Sequence, residues 1–345
     1  VIGISGTGFA ANADVRVDFG LTLSIATISS DVNGAFAGVF TINTQVYGTT
    51  TVLVEAADVD TDTIFIKPQV VSVVPTAGTV GSVVTILCTG YSSGDNVTVA
   101  FGTNAGIQTA VAGQYGSFTS SFTVDVQAYG TTTITASGAT TSGISVATNV
   151  FSIQAQVVSV EPTAGSVGSM VAIYGTGYAA SDSITVAFGT NAGIQQAVAG
   201  QYGSFTASWT VDVQAYGTTT ITASGATTSG VSVATNVFNI QPQVVSVEPT
   251  AGTVGSVVAI YGTGYAAGDG ITVAFGTNAS IQQAAAGQYG SFTTSFTVDV
   301  QAYGTTTITA SGVDVATNVF NIQPQVVSVE PTAGTVGSVV AIYGT

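Results

Sequence analysis

The tetrapeptide Pro-Thr-Ala-Gly occurs four times, starting at Pro75, Pro162, Pro249 and Pro331, at intervals of 87, 87 and 82 residues. A period of this length, with near-identical sequence between copies, restricts the chain to an array of like modules, each packed mainly against its neighbours in series. The shortfall of five residues (87 − 82) lies in one place, where "SGATTSGVSVATNVF" becomes "SGVDVATNVF" near Gly312. Residues 1–68 align without gaps to 257–324, and "NGAFAGVFTINTQVYGTTT" at 33–51 matches "YGSFTTSFTVDVQAYGTTT" at 289–307. The opening copy is diverged and lacks a counterpart of "VVSVEP". The expected modules are 1–68, lacking its first strand, then 69–155, 156–242 and 243–324, with 325–345 starting a further repeat.

Within each copy apolar and polar residues alternate with a period of two, the mark of half-buried strands. Val258 and Ile260 alternate with Val257, Ala259 and Tyr261; Ile271, Val273 and Phe275 oppose Thr272 and Ala274. Strict alternation places Val245 and Val247 on one face and Val244, Ser246 and Glu248 on the other, and groups Phe292, Phe296, Val298 and Val300. By the same reading Val71, Val73, Val84 and Ile86 are core, and Arg16 and Asp18 point outward opposite Val15, Val17 and Phe19. Gly, Asn, Asp and Pro punctuate the strands, and no window carries a helical period. About seven short strands per repeat is the pattern of an immunoglobulin-like sandwich. The fold class expected is all-β: tandem immunoglobulin-like β-sandwiches, joined by short Pro-containing links such as "NIQPQ" into a semi-rigid rod. The recurring "YGTTT" tyrosines, Tyr47, Tyr129, Tyr216 and Tyr303, fit either a corner tyrosine with a tied hydroxyl or an aromatic plug at the sandwich end.

The stretches "VVSVEPTAGTVGSVVAIYGTGY" (244–265) and "ITVAFG" (271–276) run strand, Pro, small residue, Gly, Gly-containing turn, strand, G-x-G-Tyr and a later FG. In this they resemble the IPT/TIG family of immunoglobulin-like (E-set) modules. The resemblance covers every full repeat and, without its opening strand, the first. It implies the sandwich fold and the uses such modules serve: spacers, adhesin stalks and accessory domains.

Composition narrows the chemistry. Lys and Arg number 2, Asp and Glu 17, His 0, and the formal net charge is −15. Such a surface repels phosphate backbones, so nucleic acid is not an expected partner. With 46% hydrophobic residues the chain has enough to bury and is not expected to be disordered. No apolar run approaches membrane-spanning length, so no membrane span is expected. The lone Cys88 offers no disulfide framework. Without His, and with acids dispersed at positions such as Asp182, Asp212, Glu248, Asp269 in a turn and Asp299 on an outer strand face, no catalytic constellation and no cofactor site is expected. Trp209 stands where other repeats carry Phe122 and Phe296 and is read as core, not as a sugar platform.

Three local features carry possible chemistry. Asp58, Asp60 and Asp62 in "EAADVDTDT" form a D-x-D-x-D run, the single candidate for a cation, although Thr63 and Gln69 stand where a calcium loop of the EF-hand type needs Gly and Glu. Asn96-Val97-Thr98 and Asn278-Ala279-Ser280 are glycosylation sequons, and an uncharged Thr/Ser/Asn surface suits an extracellular protein carrying or meeting surface glycans. The third feature joins the ends. Val1–Ser5 reads as the second strand of a module, with Ile2 and Ile4 inward; residues 325–331 repeat the first strand that residues 1–68 lack, with Val326, Val327, Val329 and Pro331 as its assembly residues and Val327 and Val329 on its apolar face. The function expected is a structural subunit of an extracellular filament whose copies join head to tail by strand addition. The alternative is a stalk segment of a long cell-surface adhesin, with its binding domain outside this chain.

Overall fold

A computed structural model describes residues 1–141, 147–228 and 234–345. The described residues are all β-strand, turn and loop, with no helix among them. The chain divides into two compact units, Val1–Ala155 with Thr176–Ala180 and Gln201–Gly203, and Gln156–Gly175 with Ser181–Gly200 and Ser204–Thr345.

In the first unit, residues 69–155 form β7 (Gln69–Val74), β8 (Ala77–Thr79), β9 (Val83–Thr89), β10 (Asn96–Phe101), β11 (Asn104–Val111), β12 (Phe118–Thr123), β13 (Gly130–Gly138) and β14 (Ala147–Gln154). They make a three-stranded sheet ordered β12-β9-β7 and a five-stranded sheet ordered β11-β10-β13-β14-β8. Between the sheets lies a core of seventeen buried apolar residues, among them Val70, Val73, Val84, Ile86, Phe101, Phe122 and Phe151. The chain leaves one sheet for the other at the cis Val74–Pro75 bond, and β8 then pairs in parallel with β14. Residues 1–66 form β1 (Ile2–Gly6), β2 (Asp14–Phe19), β3 (Thr22–Ser29), β4 (Phe36–Phe40), β5 (Gly48–Glu55) and β6 (Val59–Ile66). Here the sheets are a β1-β4 pair and a four-stranded β3-β2-β5-β6. In the second unit, the three- and five-stranded pattern recurs for residues 156–240 and again for 243–322. This is tandem immunoglobulin-like sandwich architecture.

Strict alternation fails at one recurrent point. Two first strands carry a β-bulge, between Val70 and Ser72 and between Val244 and Ser246. A bulge sets two residues against one on the partner and flips the faces beyond it. Val70 and Val73 are therefore buried while Val71 is 45% exposed; Val244 and Val247 are buried while Val245 is 45% exposed. The expected inward position of Val71, and the pairing of Val245 with Val247, are corrected accordingly. Val300 is also exposed, because the strand holding Phe292 and Phe296 ends at Thr297. Val84, Ile86, Val258, Ile260, Ile271, Val273 and Phe275 lie inside as their alternation predicts, and Trp209 is buried beside Phe188.

Asp18 lies on the outer face as expected but is covered: Arg16 Nη2 donates to Asp18 Oδ2 at 3.0 Å, and the Ser24 N–H donates to Asp18 Oδ1 at 2.6 Å. Arg16 also pairs with Glu55. Two tyrosines other than those of "YGTTT" have tied hydroxyls. Tyr91 donates to the Ala136 carbonyl at 2.9 Å and Tyr265 to that of Ala310 at 3.1 Å, both fully buried. Two of the "YGTTT" tyrosines serve joints through backbone: the Tyr47 N–H donates to the Tyr91 carbonyl at 3.0 Å, and the Tyr216 N–H to that of Tyr265 at 2.9 Å. The first of these joints needs a glycine. Gly116 has φ +71, and a Cβ there would lie 2.1 Å from Tyr91 O and 3.0 Å from Val46 Cα.

One acid of the inventory locks a loop. Asp182 is almost wholly buried. Burial opposes its ionisation, but the Thr228 hydroxyl and the N–H groups of Thr227 and Thr228 donate to it and hold its pKa at about 2. Asp95 is held down in the same way by Thr140 and Thr141. At Asp269 the shortened loop presents the Val313 N–H at 2.7 Å. A folded-state pKa below the unfolded one stabilises above the unfolded value, and that stabilisation disappears as pH falls through the folded one. Asp182→Ala should thus cost about 2 kcal/mol at neutral pH, with the deficit shrinking between about pH 4 and 2. Asp269→Ala should cost less. Calorimetry across that range checks both; equal costs would contradict the lock.

Candidate assembly site

The site has two parts, one in each unit. The first is the open edge of β1. In residues 69–155 the counterpart of β1 is β9, and it lies between β12 and β7. Among the described residues β1 pairs with β4 alone, in register Ile2↔Phe40, Ile4↔Gly38 and Gly6↔Phe36. The consequence shows in burial. Val84 and Ile86 on β9 are fully buried, while Ile2 and Ile4 are half-buried against their core. That core holds eight buried residues, against seventeen around β9, with Phe9, Ile28, Ile42 and Ile64 left partly uncovered. By the place of β7, which packs beside β9 and β14, a groove for a first strand would run between β1 and β6.

The second part is residues 325–345. Val326–Glu330 pairs with Ala341–Gly344 as a separate two-stranded sheet. Its register is Val326↔Gly344, Ser328↔Tyr343, Val329↔Ile342 and Glu330↔Ala341, with a bulge between Val326 and Ser328. This is the register and bulge of Val244↔Gly262, Ser246↔Tyr261, Val247↔Ile260 and Glu248↔Ala259. The bulge corrects the expected apolar face: Val326 joins Val329, as Val244 joins Val247, and Val327 takes the place of exposed Val245. Val326 is 65% and Val329 39% exposed, where their counterparts are 3% and 4%. Pro331 follows at a cis bond, as Pro249 does.

Of the aspartate run, Asp58 precedes β6. Asp60 and Asp62 are on β6, paired with Val54 and Val52 of β5, and each accepts the N–H of the residue after it. Among the described residues no three or more Cys, Asp or Glu side chains gather into a metal-binding group. Antiparallel partners share a face, so Asp60 and Asp62 face the groove beside Ile64. In the other repeats Asn149, Asn236 and Asn318 occupy the position of Asp62.

The remaining candidates are apart. Asn96 is exposed at the start of β10. Asn278 is held by its amide, which donates to Asp299 Oδ2 at 3.0 Å. Asp299 sits past a strand end, not on a strand face as expected, and also takes the Gln301 amide at 2.9 Å. Cys88 is buried, and burial pushes its thiol up to about 12. A cleft of about 550 Å³ in the first unit has Lys67 as its charged lining group, among Ile42, Gln69, Val71 and Leu87. No helix among the described residues is long and apolar enough to cross a membrane.

No family model and no curated protein matches the chain. Among solved structures it is similar to invasin, a bacterial integrin-binding protein, at 15% identity over 94% of this chain and 80% of that one, with a TM-score of 0.22. It is similar to the D1–D4 ectodomain fragment of ICAM-5 at 12% identity, covering 93% and 95%, with a TM-score of 0.25. A calcium-stabilised, ice-binding adhesin of an Antarctic bacterium is 13% identical over 93% and 94%, with a TM-score of 0.21. At such scores none of the three bears on what this chain does.

Proposed function

We propose that the protein is a structural subunit of an extracellular β-sandwich filament of the IPT/TIG kind, in which the Val326–Glu330 strand of one copy adds to the β1 edge of the next. The observation that carries this reading is the match of register: the tail strand holds the pairing and bulge of a first strand, and β1 is the strand whose sheet lacks one. Adding it opposite β1 would set Val329 against Ile4, Ser328 against Ser5 and Val326 against Gly6, by the pairing of residues 244–262.

The tail strand already has a partner on that edge, so addition is an exchange. Ala341–Gly344 would give way to β1, rung for rung. An isolated two-stranded hairpin is marginal in water, so its loss costs little. The exchange then buries Val326 and Val329, worth roughly 2–4 kcal/mol, together with Ile2, Ile4 and Ile64. The contact is head-to-tail and does not close on itself, so it propagates an open filament. The partner is a further copy of the chain, and the surface would meet other molecules, surface glycans among them, along its length.

A second reading has its own support. The tail hairpin holds the register of a repeat's opening, which equally suits a chain running on into another sandwich, as in the stalk of a long cell-surface adhesin. Val329→Asp separates the two. In the free chain the residue is exposed and the change should leave the melting profile untouched. In the exchanged state it would bury a charge opposite Ile4, and end-to-end assembly seen by electron microscopy should fall below a tenth of its unmodified extent. Undiminished filaments would refute strand addition and favour the stalk.

A further inference from the structure

In complete sandwiches one side chain on the last strand fastens the first strand of the other sheet beside it. Asn149 Nδ2 donates to the Val70 carbonyl at 3.3 Å, Asn236 to that of Val157 at 3.5 Å and Asn318 to that of Val244 at 3.0 Å. The rotamer is set locally, because each Asn Oδ1 accepts the N–H of the next residue at 2.8 Å. Pairing fixes the corresponding position in residues 1–66. Asn149 faces Ile134 across β13–β14, and Asp62 faces Val52 across β5–β6, at the same place in "GTTT[IV]". Asp62 repeats the local bond too, its Oδ1 accepting the Thr63 N–H at 2.7 Å. The second oxygen of Asp62 therefore stands where the other sandwiches present an amide donor.

We infer that Asp62 is a specificity-determining residue of the β1 groove, a brake that weakens addition of a first strand from a second copy; this rests on the strand-addition reading above. A strand docked in the native register brings the Val326 carbonyl, counterpart of Val70 and Val244, to this position. A carboxylate there has no proton to give. It sets acceptor against acceptor and loses water in doing so, whereas an amide would complete a hydrogen bond. Asp60, one pleat further along the same face, occupies the position of Ala316 and adds a second charge to that wall. β1, on the opposite side, offers Ile2, Ile4 and Gly6 and no cation to offset either. The groove is thus shaped for the tail strand yet holds it less tightly than a complete sandwich holds its own, which keeps joints between copies exchangeable.

The test compares the full-length chain with its Asp62→Asn, Val329→Asp and doubly substituted variants by sedimentation over a concentration series. Asp62→Asn is expected to assemble end to end at a concentration roughly tenfold lower, the difference between one hydrogen bond made and one carboxylate left facing a carbonyl. The double variant should assemble as poorly as Val329→Asp. If Asp62→Asn assembles no better than the unmodified chain, while assembly still depends on Val329, the brake is wrong and strand addition stands. If assembly ignores Val329, or none occurs with either residue at position 62, strand addition itself is wrong and the brake falls with it.

Discussion

Val73→Asp is expected to unfold the sandwich of residues 69–155, whereas Val71→Asp two residues earlier is expected to be nearly silent. Val73 is 5% exposed and packs with Val84, Ile86 and Phe151; Val71 is 45% exposed. An unpaired carboxylate among those side chains costs about 4 kcal/mol or more, comparable to the whole stability of a small domain. At Val71 the carboxylate stays in water, and the change should fall within about 0.5 kcal/mol. Calorimetry of the full chain should show one transition lost or moved far down for Val73→Asp, with the other sandwiches melting as before. Equal effects at the two positions would mean that the bulge between Val70 and Ser72 is absent and the strand faces are wrong.

That contrast marks where the sequence stops being readable. The array, the strands and most of the core were legible, because period and alternation are properties of composition along the chain, and residues such as Ile260, Phe275 and Ile308 sit where alternation puts them. The bulge was not. It is one extra residue in "QVVSV", and nothing in two adjacent valines tells which one faces in. β8, at three residues, is too short to show a period, and is recognised by its parallel partner β14. Asp18 looked like an exposed acid because alternation reports a face, not what covers it. The roles of Tyr91 and Tyr265 are not legible in sequence, because each buried hydroxyl is defined by a carbonyl forty-five residues away.

The proposed assembly site draws on both sequence and structure. The alignment of the repeats shows that residues 325–331 copy a first strand and that Ile2, Ile4 and Val329 sit at the positions of Val258, Ile260 and Val247. It does not show which valine joins Val329, since that depends on the bulge. Beside Asp58 and Asp60 in the sequence, Asp62 suggests a cation loop; its pairing with Val52 puts it on the core-side face of β6.

The central claim is that β1 of one copy takes the Val326–Glu330 strand of another in a defined register. Its most direct measurement is oxidation of the Ser5→Cys, Ser328→Cys chain, followed by denaturing electrophoresis and mass spectrometry of the linked peptides. By the pairing of Ser246 with Tyr261, these two positions would lie directly opposite each other, at a separation of about 4.5–5.5 Å between Cα atoms that a disulfide spans. Cys88 is buried with its thiol pushed up to about 12, so it should stay out of the reaction. The account predicts a ladder of covalent multimers linked between positions 5 and 328, absent from either single variant. Chains that remain monomeric with both new thiols free, under conditions where filaments form, would contradict it.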